Sequence, residues 1–495
     1  MLFQRVKSLD QILATAEKKS LKRQLGPIQL TLLGIGAIIG TGIFVLTAEA
    51  GQKAGPGMMI SFVIAAIVCA LAALAYAELA SMIPVSGSAY TYTYGVLGES
   101  LAWIVGWALV LEYAVAAGAV AVGWSGYMNG LLMSAGHALP PAMRTGPYDG
   151  GAFNVLAFAI ALVITALLVF GTSKSARVNA VLVSIKIVAL IVFIAVAMPT
   201  VKDVNFHPFF PSGWGSPMGG VGVLGAAASI FFAYVGFDAV STAAEETKNP
   251  NRNIPIGLIG SLAVCTIFYL LVGYAAVGAV GSQPMMGVDG MPLATGSQAF
   301  AAACQGAAET LVCSKDPLAQ VLRMLGFASI GNLIGLAAAL ALPSVILMMI
   351  FGQTRIFFVM SRDGLLPNFL SKIHPRYHTP HVVTMITGVA VSLFSAMFPV
   401  GILADISNSG TLFAFIMVSI AVMILRVKQP TRARPFRTPL AWVICPLGIL
   451  GCLLLFVNLS VYTISLFIGW AAIGLVVYYL YGYRKSHLAN GTEPT

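Results

Sequence analysis

The stretch Gly34–Phe44, which reads GIGAIIGTGIF, decides how this sequence folds, because it is apolar yet carries four glycines. A membrane-crossing helix needs about 20 apolar residues, and this stretch lies inside the first apolar segment of that length. Each glycine costs about 1 kcal/mol relative to alanine within a helix. In lipid, an interrupted helix is tolerated only where its backbone is buried in protein or lines a cavity. Small residues also let helices pack closely, so the stretch alone leaves open a broken helix and a glycine-faced packing helix.

The composition is that of a chain that crosses a membrane many times. Of its 495 residues, 58% are hydrophobic and only 9% are charged, and the mean hydropathy is +0.90. A soluble globular chain carries about 25% charged residues, so a soluble fold is excluded. The net charge of +10 would suggest a nucleic-acid ligand in a soluble protein. In a membrane protein it is better explained by basic residues retained on the cytoplasmic side.

Hydropathy predicts an all-α membrane protein with twelve transmembrane helices. The predicted spans are residues 28–48, 58–80, 99–127, 153–171, 176–199, 222–243, 256–279, 319–352, 381–399, 410–426, 438–459 and 462–482. The eighth is too long for one straight crossing of the hydrocarbon. Residues 1–27 form a polar, basic N-terminal segment without the pattern of a cleavable signal peptide, and residues 483–495 form a C-terminal tail.

The distribution of basic residues predicts the orientation. With the N-terminus in the cytoplasm, the outer loops hold only Lys53, Arg144, Lys202 and Lys315. Two more, Lys186 and Arg323, fall within spans, and the rest of the 27 basic residues lie in cytoplasmic segments. Because lysine and arginine concentrate on the cytoplasmic side, we expect both termini inside and a multi-pass protein of the plasma membrane.

A second irregular stretch lies in span 6, where Ile230–Thr242 reads IFFAYVGFDAVST. It places a glycine and an aspartate inside an apolar helix. Span 6 follows span 1 by an odd number of spans, so a second unit that begins there is inverted relative to the first. Irregular segments at matching places in two halves indicate a transporter built from inverted repeats. We therefore predict a first repeat at 28–199, a second at 222–426, two appended spans at 438–482, and broken helices 1 and 6.

Two charged residues fall near the middle of predicted spans. Lys186 lies in span 5 and Glu112 in span 3. A charge at the bilayer centre costs about 3 kcal/mol, so such residues usually face an interior pathway; a purely structural lysine–glutamate pair is the alternative. Glu78 and Asp238, near cytoplasmic ends, are interpreted as gate or capping groups. Asp363, in an inner loop, is expected to be solvated.

The cysteines and histidines indicate neither a metal site nor a catalytic site. Cys304 and Cys313 lie in the long outer loop 280–318, where oxidising conditions favour a disulfide between them; two free thiols are the alternative. His207, His374 and His378 do not pair with a cysteine at metal-ligand spacing. The glycines of Gly34–Phe44 do not follow a strand, so they are not a phosphate-binding loop. We therefore predict no enzyme activity, no metal and no cofactor.

Four stretches together resemble the amino acid–polyamine–organocation transporters, especially the bacterial members of the cationic amino acid transporter branch. They are Gly34–Phe44, Tyr76–Leu79 with the following Pro84–Tyr90, Gly236–Pro250, and Gly352–Pro367. The resemblance covers essentially the whole chain and implies a five-plus-five inverted-repeat fold with alternating access for an amino acid. Loop 280–318 departs from it, because it is longer and contains cysteines.

The resemblance implies where the amino acid binds. Thr41 and Gly42 would hold its carboxylate, since the outer half of span 1 begins there and its N–H groups and positive end suit an anion. The carbonyls of Ile38, Phe232 and Val235 would hold the α-amino group, because a helix end leaves its last carbonyls without partners. Phe232 would also be the gate that closes over the substrate; simple core packing is the alternative.

The resemblance also implies how transport is driven and what is carried. Lys186 matches a lysine that replaces a sodium ion in related carriers, which predicts sodium-independent, proton-coupled symport. Glu112 matches an acid that would receive a cationic side chain directly or through water. Bulky Ile346, Leu347 and Met349 in span 8 would instead favour a small neutral amino acid. Both substrates remain open, as do an amino acid or polyamine exchanger, a non-transporting amino acid sensor, and the oligomeric state.

Overall fold

A computed structural model describes most of the chain. The described residues are 5–7, 9, 25–83, 88–171, 176–215, 217–238, 240, 247–306, 309–377 and 379–490. The predicted N-terminal segment 1–27 therefore lies mostly outside them, as do His378 and parts of the motifs Pro84–Tyr90 and Gly236–Pro250. Within these ranges the chain is all-helical, and β-structure is limited to two isolated bridges.

The principal helices are numbered here in chain order. They are α1 Pro27–Ile38, α2 Thr41–Phe44, α3 Leu46–Ala54, α4 Met58–Met82, α5 Ser88–Val96, α6 Glu99–Ser134, α7 Val155–Phe170, α8 Ala176–Ala197, α9 Gly222–Ile230, α10 Pro250–Val280, α11 Gln298–Gly306, α12 Pro317–Met324, α13 Ala328–Arg362, α14 His381–Met397, α15 Val400–Lys428, α16 Ala441–Val457 and α17 Val461–Val477. Helix starts follow local chemistry: prolines occupy the first turns of α1 and α10, where a missing N–H costs nothing.

Seven helices among the described residues are long and apolar enough to cross a membrane. Five shorter apolar helices accompany them, including α1, α7 and α14. One of the seven joins α3 to α4 through the short 3₁₀ turn Gly55–Gly57. The molecule is thus a multi-helical membrane protein.

Several helix ends differ from the predicted spans. Helix α6 continues to Ser134, beyond the predicted end at residue 127, and the predicted start of span 8 is a separate helix, α12. The extension has a packing reason: a Cβ on Gly126 would lie 2.3 Å from the carbonyl oxygen of Lys315. Loop 280–318, which is predicted to lie on the outer side, therefore covers this end of α6, so the polar residues there need not face lipid.

The core is organised around α6 and α10. Helix α6 packs along α13 and α15, while α10 packs along α1 and α4, and α7 pairs with α14. Four cysteines, Cys69, Cys265, Cys445 and Cys452, are buried free thiols in this packing, where cysteine behaves as a small hydrophobic residue.

Tryptophans join α6 to α17. The Trp107 indole N–H donates to the Trp470 carbonyl oxygen at 2.9 Å, and the Trp470 N–H donates to the Trp107 carbonyl oxygen at 2.8 Å. Their rings stack with centroids 4.6 Å apart. A Cβ on Gly474 would lie 2.3 Å from Cδ1 of Trp107, whereas a Cβ on Gly469 would meet nothing within 4 Å.

We expect Gly474→Ala to be less stable than Gly469→Ala, which gains helix propensity without meeting a neighbouring atom. Overpacking of a close contact costs about 1–3 kcal/mol, and both glycines lie in α17, so the pair controls for helix propensity. The measurement is the melting temperature of purified protein in one detergent. Equal melting temperatures for the two variants would contradict the packing described above.

Candidate functional site

The first helix is interrupted where the glycine-rich sequence predicts. Helix α1 ends at Ile38, and α2 begins at Thr41, with Ile39 and Gly40 between them. Gly40 precedes α2 with φ −153° and ψ −146°. The interruption leaves a carbonyl end and an N–H end of helix close to each other in the protein interior.

A second interruption lies directly against the first. The α-helix α9 ends at Ile230, and a 3₁₀ turn over Phe231–Tyr234 follows it. After this turn, Gly236 adopts φ +109°. That conformation favours glycine, and a Cβ on Gly236 would lie 2.9 Å from the Ala37 carbonyl oxygen. A Cβ on Gly42 would lie only 2.2 Å from Cα of Ala233. Glycine at these two positions lets the two broken segments contact each other.

The N–H end of this pair is polar and enclosed. Thr41 is 1% exposed, and within the described part of the chain its Oγ1 has no hydrogen-bond partner. A buried hydroxyl usually has one, so an anion at the positive end of α2 would supply what is missing. Gly123 of α6 forms the opposite wall, since a Cβ there would lie 2.7 Å from Cγ2 of Thr41.

The carbonyl end of α1 is held by side chains from two other helices. The Tyr269 hydroxyl of α10 lies 3.0 Å from the Ile38 carbonyl oxygen and 2.8 Å from the Ala233 carbonyl oxygen. It therefore bridges both interruptions. The Ile38 oxygen retains a second lone pair, so it can still accept from an ammonium group. Sequence reasoning missed Tyr269; the signal was a phenol inside an apolar span, which must find a polar partner when buried.

Lys186 reaches the same helix end. Its Nζ donates to the Gly36 carbonyl oxygen at 2.9 Å, and the side chain is 1% exposed. This hydrogen bond links α8 to a carbonyl of the broken first helix. The lysine fixes the end of α1 next to Ile38.

Phe232 and Val235 lie in the second interruption and are almost fully buried. The Val235 N–H donates to the Phe232 carbonyl oxygen at 3.2 Å, so that carbonyl is partly engaged within its own turn. The structure thus brings Thr41, Gly42 and Ile38 together with this turn. Whether Phe232 moves as a gate stays a prediction.

The span-8 wall is contributed by a residue that the sequence interpretation did not name. A Cβ on Gly40 would lie 3.4 Å from Cγ2 of Val345. Met349 is buried one turn further along that face, Ile346 is buried, and Leu347 is partly exposed. Val345 therefore contacts the interruption at Gly40, and roles for Ile346, Leu347 and Met349 stay predictions.

Glu112 lies where α6 meets α15. Its backbone oxygen accepts from the Ser407 hydroxyl at 3.3 Å, and its carboxylate lies near Thr411, whose hydroxyl donates to the Ser407 carbonyl oxygen at 3.2 Å. Oε2 is buried and has no hydrogen-bond partner within the described ranges. The carboxyl group also interacts electrostatically with Asp238, which accepts from the Tyr113 hydroxyl at 3.1 Å. Glu112 thus belongs to a buried acidic and hydroxyl-rich cluster.

Ion pairs close the predicted cytoplasmic side. Glu78 accepts from Arg426 Nη2 at 2.6 Å, which links α4 to α15. Asp363 is 3% exposed and accepts from the Tyr90 hydroxyl at 2.8 Å and from Lys7 Nζ at 2.9 Å. The expectation that Asp363 is solvated is wrong, because the side chains of Lys7 and Tyr90 contact its carboxylate and cover it.

A second buried ion network lies on the predicted outer side. Lys53 belongs to α3 rather than to an outer loop, which corrects its assignment from hydropathy. Its Nζ lies 2.9 Å from Asp405 Oδ2 of α15 and 3.6 Å from Glu49 Oε1. Ser229 of α9 hydrogen-bonds both Lys53 and Asp405. Three helices are joined here above the interruptions.

Beyond this network, on the same predicted outer side, is a cavity. It has a volume of about 670 Å³ and is bordered by α6, the loop that follows it, and loop 280–318. Cys304 and Cys313 form a disulfide in this loop, with their Cα atoms 5.5 Å apart. Burial raises the pKa of the nearby Asp316 carboxyl, and Arg323 opposes that rise.

Two interrupted helices in contact, with opposite helix ends close together in the protein interior, are the arrangement by which helical membrane transporters build a binding site. The chain belongs to the amino acid permease family, whose model matches residues 25–481. This family consists of transporters, which agrees with the predicted absence of enzyme activity, and it confirms the resemblance.

Relatives along nearly the whole chain support the assignment. The branched-chain amino acid permease BcaP of Bacillus subtilis (strain 168) is 46% identical over 98% of this chain and 99% of its own. The methylthioribose transporter of the same organism is 41% identical over the same shares. Cationic amino acid transporter 4, vacuolar, of Arabidopsis thaliana is 34% identical over 83% of this chain and 64% of its own.

Proposed function

We propose that this protein is a secondary active transporter that takes up an amino acid across the plasma membrane by alternating access, independently of sodium. The observation that carries the proposal is the paired interruption. It places the N–H end at Thr41 and the carbonyl end at Ile38 close together in the protein interior. An α-amino acid has the complementary charges, a carboxylate for the first and an ammonium for the second.

The topology belongs to the same proposal. The seven long and five shorter apolar helices would together make twelve spans, and the two interruptions would begin two inverted five-span repeats. The concentration of basic residues in segments such as 426–437 supports cytoplasmic termini. Closure by Lys53–Asp405 on one side and Lys7–Asp363 on the other supports a mechanism in which the two sides open alternately.

The favoured substrate is an amino acid with an aliphatic side chain. Val345 lines the interruption, and the chain is similar along its full length to a branched-chain amino acid permease. A cationic substrate is the second candidate, because Glu112 holds a buried carboxylate oxygen with no hydrogen-bond partner among the described residues. Both share the carboxylate and ammonium contacts and differ only at the side chain.

We expect unlabelled leucine to suppress uptake of radiolabelled leucine into proteoliposomes more strongly than arginine does. Alanine and methylthioribose complete the panel, and Glu112→Gln is tested beside the wild type. An aliphatic pocket does not use the Glu112 charge for selection, so the order of competitors should be the same in both proteins. If arginine competes best, and Glu112→Gln removes that advantage, the cationic alternative replaces this one.

Proton coupling is the proposed driving force. Lys186 provides a fixed ammonium group beside the broken helix, a position in which a reversibly protonated lysine would link transport to protons without a sodium ion. An exchanger on the same scaffold would show counterflow without any response to a proton gradient. A sensor would bind amino acid and show no flux.

A further inference from the structure

One ion pair lies at the junction of two outer cavities. Lys315 Nζ and Asp149 Oδ2 are 2.9 Å apart, and both residues line the 670 Å³ vestibule and a narrower throat beneath it. The throat reaches Val45, one helical turn beyond Thr41, and has a volume of about 30 Å³. A water molecule needs roughly 10–15 Å³ in such a space, so the throat admits water but no amino acid.

Both partners have a fixed backbone. A Cβ on Gly126 would lie 2.3 Å from the Lys315 carbonyl oxygen, so the loop is seated on α6 at this point. The disulfide at Cys313 tethers the loop two residues earlier. Asp149 ends a 3₁₀ turn in which its own N–H donates to the Gly146 carbonyl oxygen at 3.1 Å. The two charges are therefore held on rigid supports, and only their side chains need to move.

The pair can be opened at little cost. The Asp149 side chain is 8% exposed, but the Lys315 side chain is 45% exposed. Ion pairs that reach solvent contribute only about 0–1 kcal/mol. A ligand that supplies a positive group to the aspartate and a negative group to the lysine would replace both interactions.

The surrounding wall suits the rest of such a ligand. Phe300 and Val312 provide apolar surface close to the pair. Within the described residues, Asn129 Oδ1 and Thr310 Oγ1 are buried in the vestibule wall and have no hydrogen-bond partner. Buried polar atoms are normally paired, so these oxygens can accept from a bound ammonium group or from the water around it.

We propose that Asp149 and Lys315 form a second, low-affinity site that holds a zwitterionic amino acid in the vestibule before the throat opens. The ammonium group of the amino acid binds Asp149, its carboxylate binds Lys315, and its side chain lies against Phe300. The inference rests on the proposed function, since it takes the transported amino acid as the ligand. It also gives a role to loop 280–318.

The test is the stoichiometry of radiolabelled leucine bound to purified protein at millimolar concentration. We expect two molecules per wild-type chain and one in Asp149→Asn/Lys315→Gln. The charge swap Asp149→Lys/Lys315→Asp should restore the second bound leucine, because a zwitterion can bind with its ammonium and carboxylate groups exchanged. The control Lys202→Gln/Asp203→Asn removes exposed outer charges and should keep two. In an uptake assay, the neutral double variant should show a KM about fivefold higher at unchanged kcat, because a fivefold change corresponds to the loss of one weak contact.

One bound leucine in the wild type with intact uptake would overturn this inference and leave the proposed transport untouched. Two bound molecules in the neutral double variant would overturn it as well, as would a charge swap that still binds one. Loss of both binding and uptake in the wild type would instead overturn the proposed function.

Discussion

Gly42→Ala is expected to lower the initial rate of amino acid uptake about ten- to hundredfold. The added Cβ would lie 2.2 Å from Cα and 2.5 Å from Cβ of Ala233, so the two interruptions must move apart. Overpacking of this kind costs about 1–3 kcal/mol, and about 1.4 kcal/mol corresponds to a tenfold change in binding. The measurement is uptake into proteoliposomes, normalised to the amount of inserted protein.

The matched control is Gly40→Ala in the same interruption. Its Cβ would lie 3.4 Å from Cγ2 of Val345, an ordinary contact, and its φ of −153° is outside the left-handed region that favours glycine. We expect uptake close to that of the wild type. Equal losses in both variants would mean that this segment tolerates no side chain for reasons other than contact with Ala233, and the paired site would lose its main support.

Lys186→Met is expected to abolish accumulation driven by a proton gradient. The substitution keeps a side chain of similar length but removes the ammonium group that donates to the Gly36 carbonyl oxygen. A proton that moves with the substrate then has no group at this position to carry it. The measurement compares accumulation against a concentration gradient with counterflow exchange, which does not need net proton movement.

The control for this substitution is Ser184→Ala on the same helix, because Ser184 is exposed on the outer face of α8. It should accumulate substrate like the wild type. Full accumulation in Lys186→Met would remove the lysine from the coupling mechanism.

The sequence alone was sufficient to predict those elements of the site that depend on local backbone chemistry. Glycines in an apolar segment predicted the interruption after Ile38, and an aspartate after a glycine marked the one near Gly236. A charge inside a span predicted that Lys186 contacts an interior group, because lipid offers none. Each of these signals lies within a few residues of the feature that it predicts.

Features that depend on contacts between distant segments could not be read in this way. Tyr269 resembles a core aromatic residue until its hydroxyl is seen between two broken helices. Val345 contacts the interruption at Gly40, and because neighbouring residues on a helix point about 100° apart, a uniformly apolar span does not specify which of its residues face the site. Asp363 and Lys53 were assigned to loops by hydropathy, whereas their partners lie hundreds of residues away in sequence.

The most direct test of the account is uptake of radiolabelled leucine into proteoliposomes under imposed ion gradients. We expect accumulation when the proton gradient is directed inward, none when a sodium gradient replaces it, and loss of accumulation when a protonophore collapses the proton gradient. Accumulation that requires sodium, or that ignores both gradients, would contradict the proposal of a sodium-independent, proton-coupled amino acid transporter.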